Sequence, residues 1–200
     1  YEGIAEQFST SKTVDVLMGS GSKYFNQRKD GRDLLGEMKE AGYAVATTPE
    51  EFAAATDAKR VVALYHEQDM PFIGEGERKR SLRDMVSDAI EVLDRDNQDG
   101  FVLMVEGSFI DWCGHSMDTT CAVKETLDFD QAINRGLAYA RGRDDTLVLV
   151  TADHETSGLS IMDPHYSERF TRVLGGEKAM VDSLKLPRAD QGESPAPLQH

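Results

Sequence analysis

Apolar and polar positions alternate through the first 155 residues in two rhythms. "TVDVLMG" (13–19), "YAVAT" (43–47) and "RVVALY" (60–65) are short β-rich runs that read as strands. "GRDLLGEMKEAG" (31–42) reads as a helix that stops at Gly42. "TPEEF" (48–52) reads as a helix start, with Thr48 as N-cap, Pro49 in the first turn and Glu51 placed for a capping box. Over 77–96, Leu82, Met85, Val86, Ala89, Ile90 and Leu93 recur at helical spacing and form one apolar stripe. "NQDG" then breaks the chain. A second amphipathic helix is predicted over 122–141. On either side of it, "FVLMVE" (101–106) and "TLVLVTA" (146–152) are continuous apolar runs, the pattern of strands covered on both faces.

This alternation predicts an α/β fold with a mainly parallel sheet. Ligands collect at the carboxyl ends of the strands in such sheets. Residues 161–200 are less regular, and "LPRADQGESPAPLQH" reads as a surface loop. The chain opens at "YEGIAEQF" without an initiator Met and stops at "PAPLQH", which reads as a piece of a longer polypeptide. No apolar stretch approaches the roughly 18 residues needed to span a membrane.

Charge narrows the partners. The formal net charge is -14, from 36 acidic and 22 basic residues. Nucleic acid and anionic membranes are disfavoured. A phosphate-bearing substrate would be repelled as well, unless a bound cation sits in the site. The two cysteines, Cys113 and Cys121, form no C-x-x-C pair, which argues against a thiolate zinc site. One disulfide and two free thiols both remain open.

Candidate chemistry sits where the two strongest strand patterns end. Asp153 and His154 follow "TLVLVTA" directly, one carboxylate beside one imidazole, a donor pair that suits zinc. An N-cap aspartate next to a surface histidine gives the same dipeptide. A second cluster, "EGSFIDWCGH" (106–115), has the same logic. Glu106 ends its strand, and Asp111 and His115 are four apart, so one helical turn puts them on one face. Two such clusters at two strand ends point to a metal site. "GSGSKYF" (19–25) lacks the Walker spacing and does not read as a nucleotide loop. His66, in "LYHEQDMPF", lies just past a strand pattern, and His165 reads as a loop residue.

"VDVLMGSGSKYF", "MVEGSFIDWCGH", "LDFDQAI" and "TLVLVTADHETSG" together resemble the alkaline phosphatases, in that family's order and spacing, over about residues 1–160. The resemblance implies a three-layer sandwich around the parallel sheet, incomplete here, with 1–200 as one partial catalytic domain. It implies hydrolysis of small phosphate monoesters through a phosphoserine, with two zinc ions and one magnesium ion. Asp111 and His115 would hold the first zinc, Asp153 and His154 the second, and Glu106 the magnesium. His200 lies 46 residues beyond His154 and is the expected third protein ligand of the first zinc. Trp112 would pack beside the magnesium position, and Cys113 would pack rather than ligate.

The family's nucleophilic serine, in a D-S-A type motif, has no match among the serines present. Its phosphate-gripping arginine has none either, nor do the N-terminal aspartate and the threonine of its metal sites. These 200 residues alone are therefore expected to show no turnover. A superfamily phosphodiesterase or phosphonate hydrolase, and a non-catalytic α/β metal-binding module, are the alternative readings. Glu106 favours the monoesterase. The resemblance also implies a periplasmic or secreted location and a homodimer.

Overall fold

In the computed structural model, residues 1–55 and 57–158 are described. In chain order they form α1 (Glu2–Ser11), β1 (Val16–Gly19), α2 (Lys23–Asn26), α3 (Leu34–Glu40), β2 (Ala44–Ala46), α4 (Pro49–Ala54), β3 (Val61–Leu64), α5 (Leu82–Asp94), α6 (Phe109–His115) and α7 (Thr119–Ala140). Tyr1–Thr156 is one compact unit. Of a second unit, Ser157–His200, only Ser157 and Gly158 are described, so the loop-rich region expected over 161–200 lies outside the described residues.

The three strands are parallel, as the alternation predicts, in the order β1-β3-β2. Val61 sits level with Val16 on one side and Ala44 on the other. All four residues of β3 are buried, which is why the strand is wholly aliphatic. Its two-residue period divides it between two cores. Val62 and Leu64 pack with Ala5, Phe25, Leu34, Leu35 and Met38, which come from α1, α2 and α3. Val61 and Ala63 pack with Met85 and Val92 of α5 on the opposite face. Helices therefore cover both faces of the sheet, and each fully buried aliphatic side chain contributes roughly 1.5–3 kcal/mol.

Helix starts follow the capping chemistry. Thr48 accepts from the Glu51 amide at 3.2 Å, and Ser81 accepts from the Asp84 amide at 3.1 Å. The Glu51 carboxylate reaches back one residue further than a capping box requires, to the Thr47 amide at 2.7 Å. Helix α7 begins three residues before the predicted 122, because Asp118 caps it by accepting from the Cys121 amide at 3.0 Å. Helix α1 escaped the sequence pattern altogether. It has no side-chain cap, it buries only Ala5 and Ser9, and Ile4 is exposed.

Two expectations need correction. Residues 101–106 and 146–152 are not strands, and neither run is covered on both faces. Leu103 and Val105 pack against the cluster of Val86, Ile90 and Ala132 from α5 and α7. Their neighbours Val102 and Met104 are 94% and 78% exposed, and Leu147 and Leu149 are 79% and 81% exposed. Among the described residues, no strand pairs with either run and no layer lies over the second face. An apolar run becomes a central strand only where neighbours accept its hydrogen bonds and its side chains.

A buried ionic cluster fastens the loop before α5 to α7. The Arg78 guanidinium donates to both oxygens of Glu125, at 2.8 and 2.7 Å, and to Asp128 at 2.9 Å. The Glu125 carboxylate also accepts from the Ile73 amide at 2.8 Å. Burial pushes the Asp128 carboxyl up from its ordinary value even though Arg78 pulls it down.

Arg78→Ala leaves two buried acids without their cation, and the expected loss is about 3–5 kcal/mol in urea unfolding. A loss under ~1 kcal/mol in the same titration contradicts that role. The uncovered aliphatic rows predict strong binding of anilinonaphthalene sulfonate by the 200-residue chain. Val102→Thr with Leu149→Thr should lower that fluorescence while leaving the far-ultraviolet helix signal unchanged.

Candidate metal centre

Helix α6 carries two faces at the i, i+4 spacing read from the sequence. Phe109 and Cys113 are buried on one face, and Asp111 and His115 project from the other. The inner face is anchored by aromatic contacts. Phe109 meets Phe72 at 5.0 Å and Trp112 edge-on at 5.1 Å between ring centroids. The Arg78 guanidinium lies 5.2 Å above the Phe109 ring. Outside, Asp111 Oδ2 stands 3.5 Å from His115 Nε2.

The second pair lies on the extended segment after the apolar run 146–152. Asp153 Oδ2 stands 3.1 Å from His154 Nε2. The Asp153 carboxylate also accepts from the His154 amide at 2.9 Å. His154 Nδ1 lies 3.0 Å from the Glu155 carbonyl oxygen. A proton on Nδ1 is held by that carbonyl, which leaves Nε2 as the nitrogen available to a cation. The Glu155 carbonyl, then the charges of Asp153 and Asp111, raise the His154 pKa above its ordinary value.

Thr156 brings the two pairs together. Its hydroxyl donates to Asp111 Oδ1 at 2.6 Å, and the same oxygen lies 3.3 Å from His154 Nδ1. Gly114 makes this approach possible. A methyl group at that position would stand 3.0 Å from both Cβ and Cγ2 of Thr156. Helix α6 and the segment 153–156 thus meet at the Thr156 hydroxyl. Neither Thr156 nor the clearance at Gly114 was foreseen. The only sequence signal was a glycine inside a short helix, which often marks a close approach by another chain segment.

The donor set fits divalent cations. Each pair offers one carboxylate and one imidazole, and both pairs are accessible. Among the described residues, neither Asp111 nor Asp153 pairs with a lysine or arginine. No group of three or more His, Cys, Asp and Glu residues gathers closely enough among them to hold an ion alone. Glu106 ends its segment exposed, and the structure does not bring it into either pair. His200 and His165 lie outside the described residues.

Two other sequence readings can be placed. His66 Nε2 accepts from the Lys79 amide at 3.2 Å, a contact that holds a loop. The amides of Gly21 and Ser22 donate to the His66 carbonyl at 2.9 and 3.2 Å, and the Lys23 amide to the Glu67 carbonyl at 3.1 Å. The backbone donors of "GSGSKYF" are therefore engaged within the protein. Cys113 and Cys121 form a disulfide, which decides between the two thiol states left open by the sequence.

Comparison with known proteins agrees with the motifs. The family model for alkaline phosphatase matches residues 1–183. Alkaline phosphatase 4 of Bacillus subtilis is 42% identical over 149 residues, covering 74% of this chain and 32% of the relative. Alkaline phosphatase 3 of the same organism is 40% identical over 186 residues, covering 92% and 39%. The solved structure of alkaline phosphatase from the Antarctic bacterium TAB5 superposes with a TM-score of 0.71 at 35% identity, over 78% of this chain and 45% of that one. A mutant of the TAB5 enzyme was solved with Mg bound in its M3 site. The chain thus spans less than half the length of each.

Thr156→Val removes the donor to Asp111 with little change of volume. Zinc affinity, read by competition with a chelating dye, is expected to fall about 10–100-fold. Gly114→Ala, which pushes Thr156 away, should move affinity in the same direction. Unchanged affinity in both variants contradicts a bridging role for the hydroxyl.

Proposed function

The chain belongs to the alkaline phosphatase family, and on that premise we propose that it forms the metal-holding part of a phosphate-monoester hydrolase. The observation that carries the proposal is the meeting of Asp111 and His154 at one threonine hydroxyl. Asp111 and His115, joined by His200, would hold one zinc ion. Asp153 and His154 would hold a second, and Glu106 a magnesium ion. Bound divalent cations supply positive charge to the phosphoryl oxygens and the capacity to acidify water.

The chain's own residues have narrower tasks. Thr156 fixes the Asp111 carboxylate by occupying Oδ1. The Glu155 carbonyl orients the His154 ring. The buried face of α6 sets the positions of Asp111 and His115. Cations at this site also explain how a chain of net charge -14 receives an anionic substrate. The nucleophilic serine and the phosphate-gripping arginine are assigned outside these 200 residues, because no serine or arginine here stands in the family's setting. The disulfide favours an oxidising compartment, in line with a periplasmic or secreted protein. No helix of the described residues is long and apolar enough to cross a membrane. Assembly as a homodimer completes this family reading.

The test joins turnover to metal content. The 200-residue chain with zinc, magnesium and p-nitrophenyl phosphate is expected to release no nitrophenolate above the metal-only blank. The full-length protein should hydrolyse the same ester, and Asp153→Ala should lower both its zinc content and its rate. Rapid hydrolysis by the short chain contradicts the placement of the nucleophile. A flat zinc content in the variant contradicts the metal site and favours a non-catalytic module.

A further inference from the structure

Helix α6 has only seven residues, too few for a helix to be stable by itself. Phe109 and Cys113 are its buried residues. Phe109, with its aromatic and cation–π contacts, secures the first turn. Among the described residues, Cys113 is the buried side chain of the turn that carries His115. Cys113 is fully buried and disulfide-bonded to Cys121 in the first turn of α7, with the two Cα atoms 5.4 Å apart. Between the helices the chain reverses tightly. The Met117 amide donates to the Gly114 carbonyl at 2.8 Å, and the Asp118 amide to the Cys113 carbonyl at 3.0 Å. Met117 takes a left-handed conformation, φ 53°, and is exposed. Non-glycine residues populate that region sparsely, so the turn persists only while its surroundings impose it.

We propose that the Cys113–Cys121 disulfide is a positioning element for the metal centre: by clamping the last turn of α6 to α7 it keeps His115 in register with Asp111, so retention of the cation they hold depends on the bond being oxidised. The inference rests on the proposed ligand role of Asp111 and His115. It goes beyond that role in making one cation, and not its neighbour, sensitive to reduction. Asp153 and His154 lie on a separate segment that the disulfide does not touch. Cutting the bond should therefore loosen the first site and spare the second.

The experiment uses the full-length protein loaded with zinc. A water-soluble trialkylphosphine reduces the disulfide: phosphorus is oxidised, water supplies the phosphine-oxide oxygen, and the two sulfurs leave as thiols with water's two hydrogens. A phosphine is chosen because it competes for zinc less than a dithiol does. Zinc release into a chelating dye is followed before and after reduction, with the two-hydrogen mass gain confirming that the bond is cut. The expected result is one zinc class released about tenfold faster or more, a second class unchanged, and recovery of slow release on reoxidation. Cys121→Ser, which leaves the buried Cys113 in place, should reproduce the reduced behaviour. Unchanged release from verified reduced protein overturns the positioning role and leaves the metal centre standing. Simultaneous loss of all zinc with loss of helical signal also overturns it, since the bond is then a general staple. No bound zinc in either state overturns the metal centre itself, and this inference with it.

Discussion

The Thr156 hydroxyl donating to Asp111 is the contact on which the site depends. It joins a helix to an extended segment 45 residues away, and it does so at the carboxylate that already faces His115. The approach needs Gly114, since any larger residue would press on Thr156. It also needs α6 seated with Phe109 and Cys113 inward. The sheet, the ionic cluster of Arg78 and the helix pair α5 and α7 all serve this placement. They hold the inner face of α6 still, so that its outer face can present ligands.

Rigidity is unevenly distributed over α6, and the chemistry explains why. Its first turn is held through Phe109, which meets Phe72, the Arg78 guanidinium and the Trp112 ring of the same helix, an arrangement of rings and charge that fixes orientation as well as depth. Its last turn buries Cys113 and carries a glycine, which lowers helix propensity. A covalent bond to α7 stands where side-chain packing is thin. A metal ligand on an underpacked turn would have to be ordered on binding, at a cost in affinity. The disulfide places that ordering in the folding of the protein instead.

The sequence was most legible where local and tertiary demands agree. In β3 the aliphatic run, the two-sided burial and the parallel pairing coincide, and 60–65 was read correctly. Thr48 and Pro49 act within one turn, so their chemistry needs no distant partner. The Asp111 and His115 pair was legible because the i, i+4 spacing is itself the geometry. Helix α1 was hidden because it forms without a cap and buries little, so no local signal marks it. Thr156 was hidden for the opposite reason: its role lies wholly in a contact across the fold, and a threonine after an Asp-His pair has no periodicity to betray it. Arg78, Glu125 and Asp128 likewise appear in sequence as ordinary surface charges, yet they are buried and paired.

The runs 101–106 and 146–152, read as strands from their pattern, show what an apolar run demands beyond its own composition. Continuous apolar character encodes a demand for cover on two faces, and at 101–106 the structure meets it on one. Phe101, Leu103 and Val105 are sheltered in alternation, while Val102, Met104 and Glu106 face outward. That two-residue alternation of burial is the one a half-covered strand shows, although among the described residues no strand pairs with it. The second run leads directly into the site, ending at Asp153. Because the site hangs from this run, backbone pairing and cover on its open face would fix the direction from which Asp153 and His154 approach Asp111. Cover over this run and the placement of Asp153 and His154 are therefore one physical problem: whatever shelters Leu147 and Leu149 also stiffens the segment that presents this second pair.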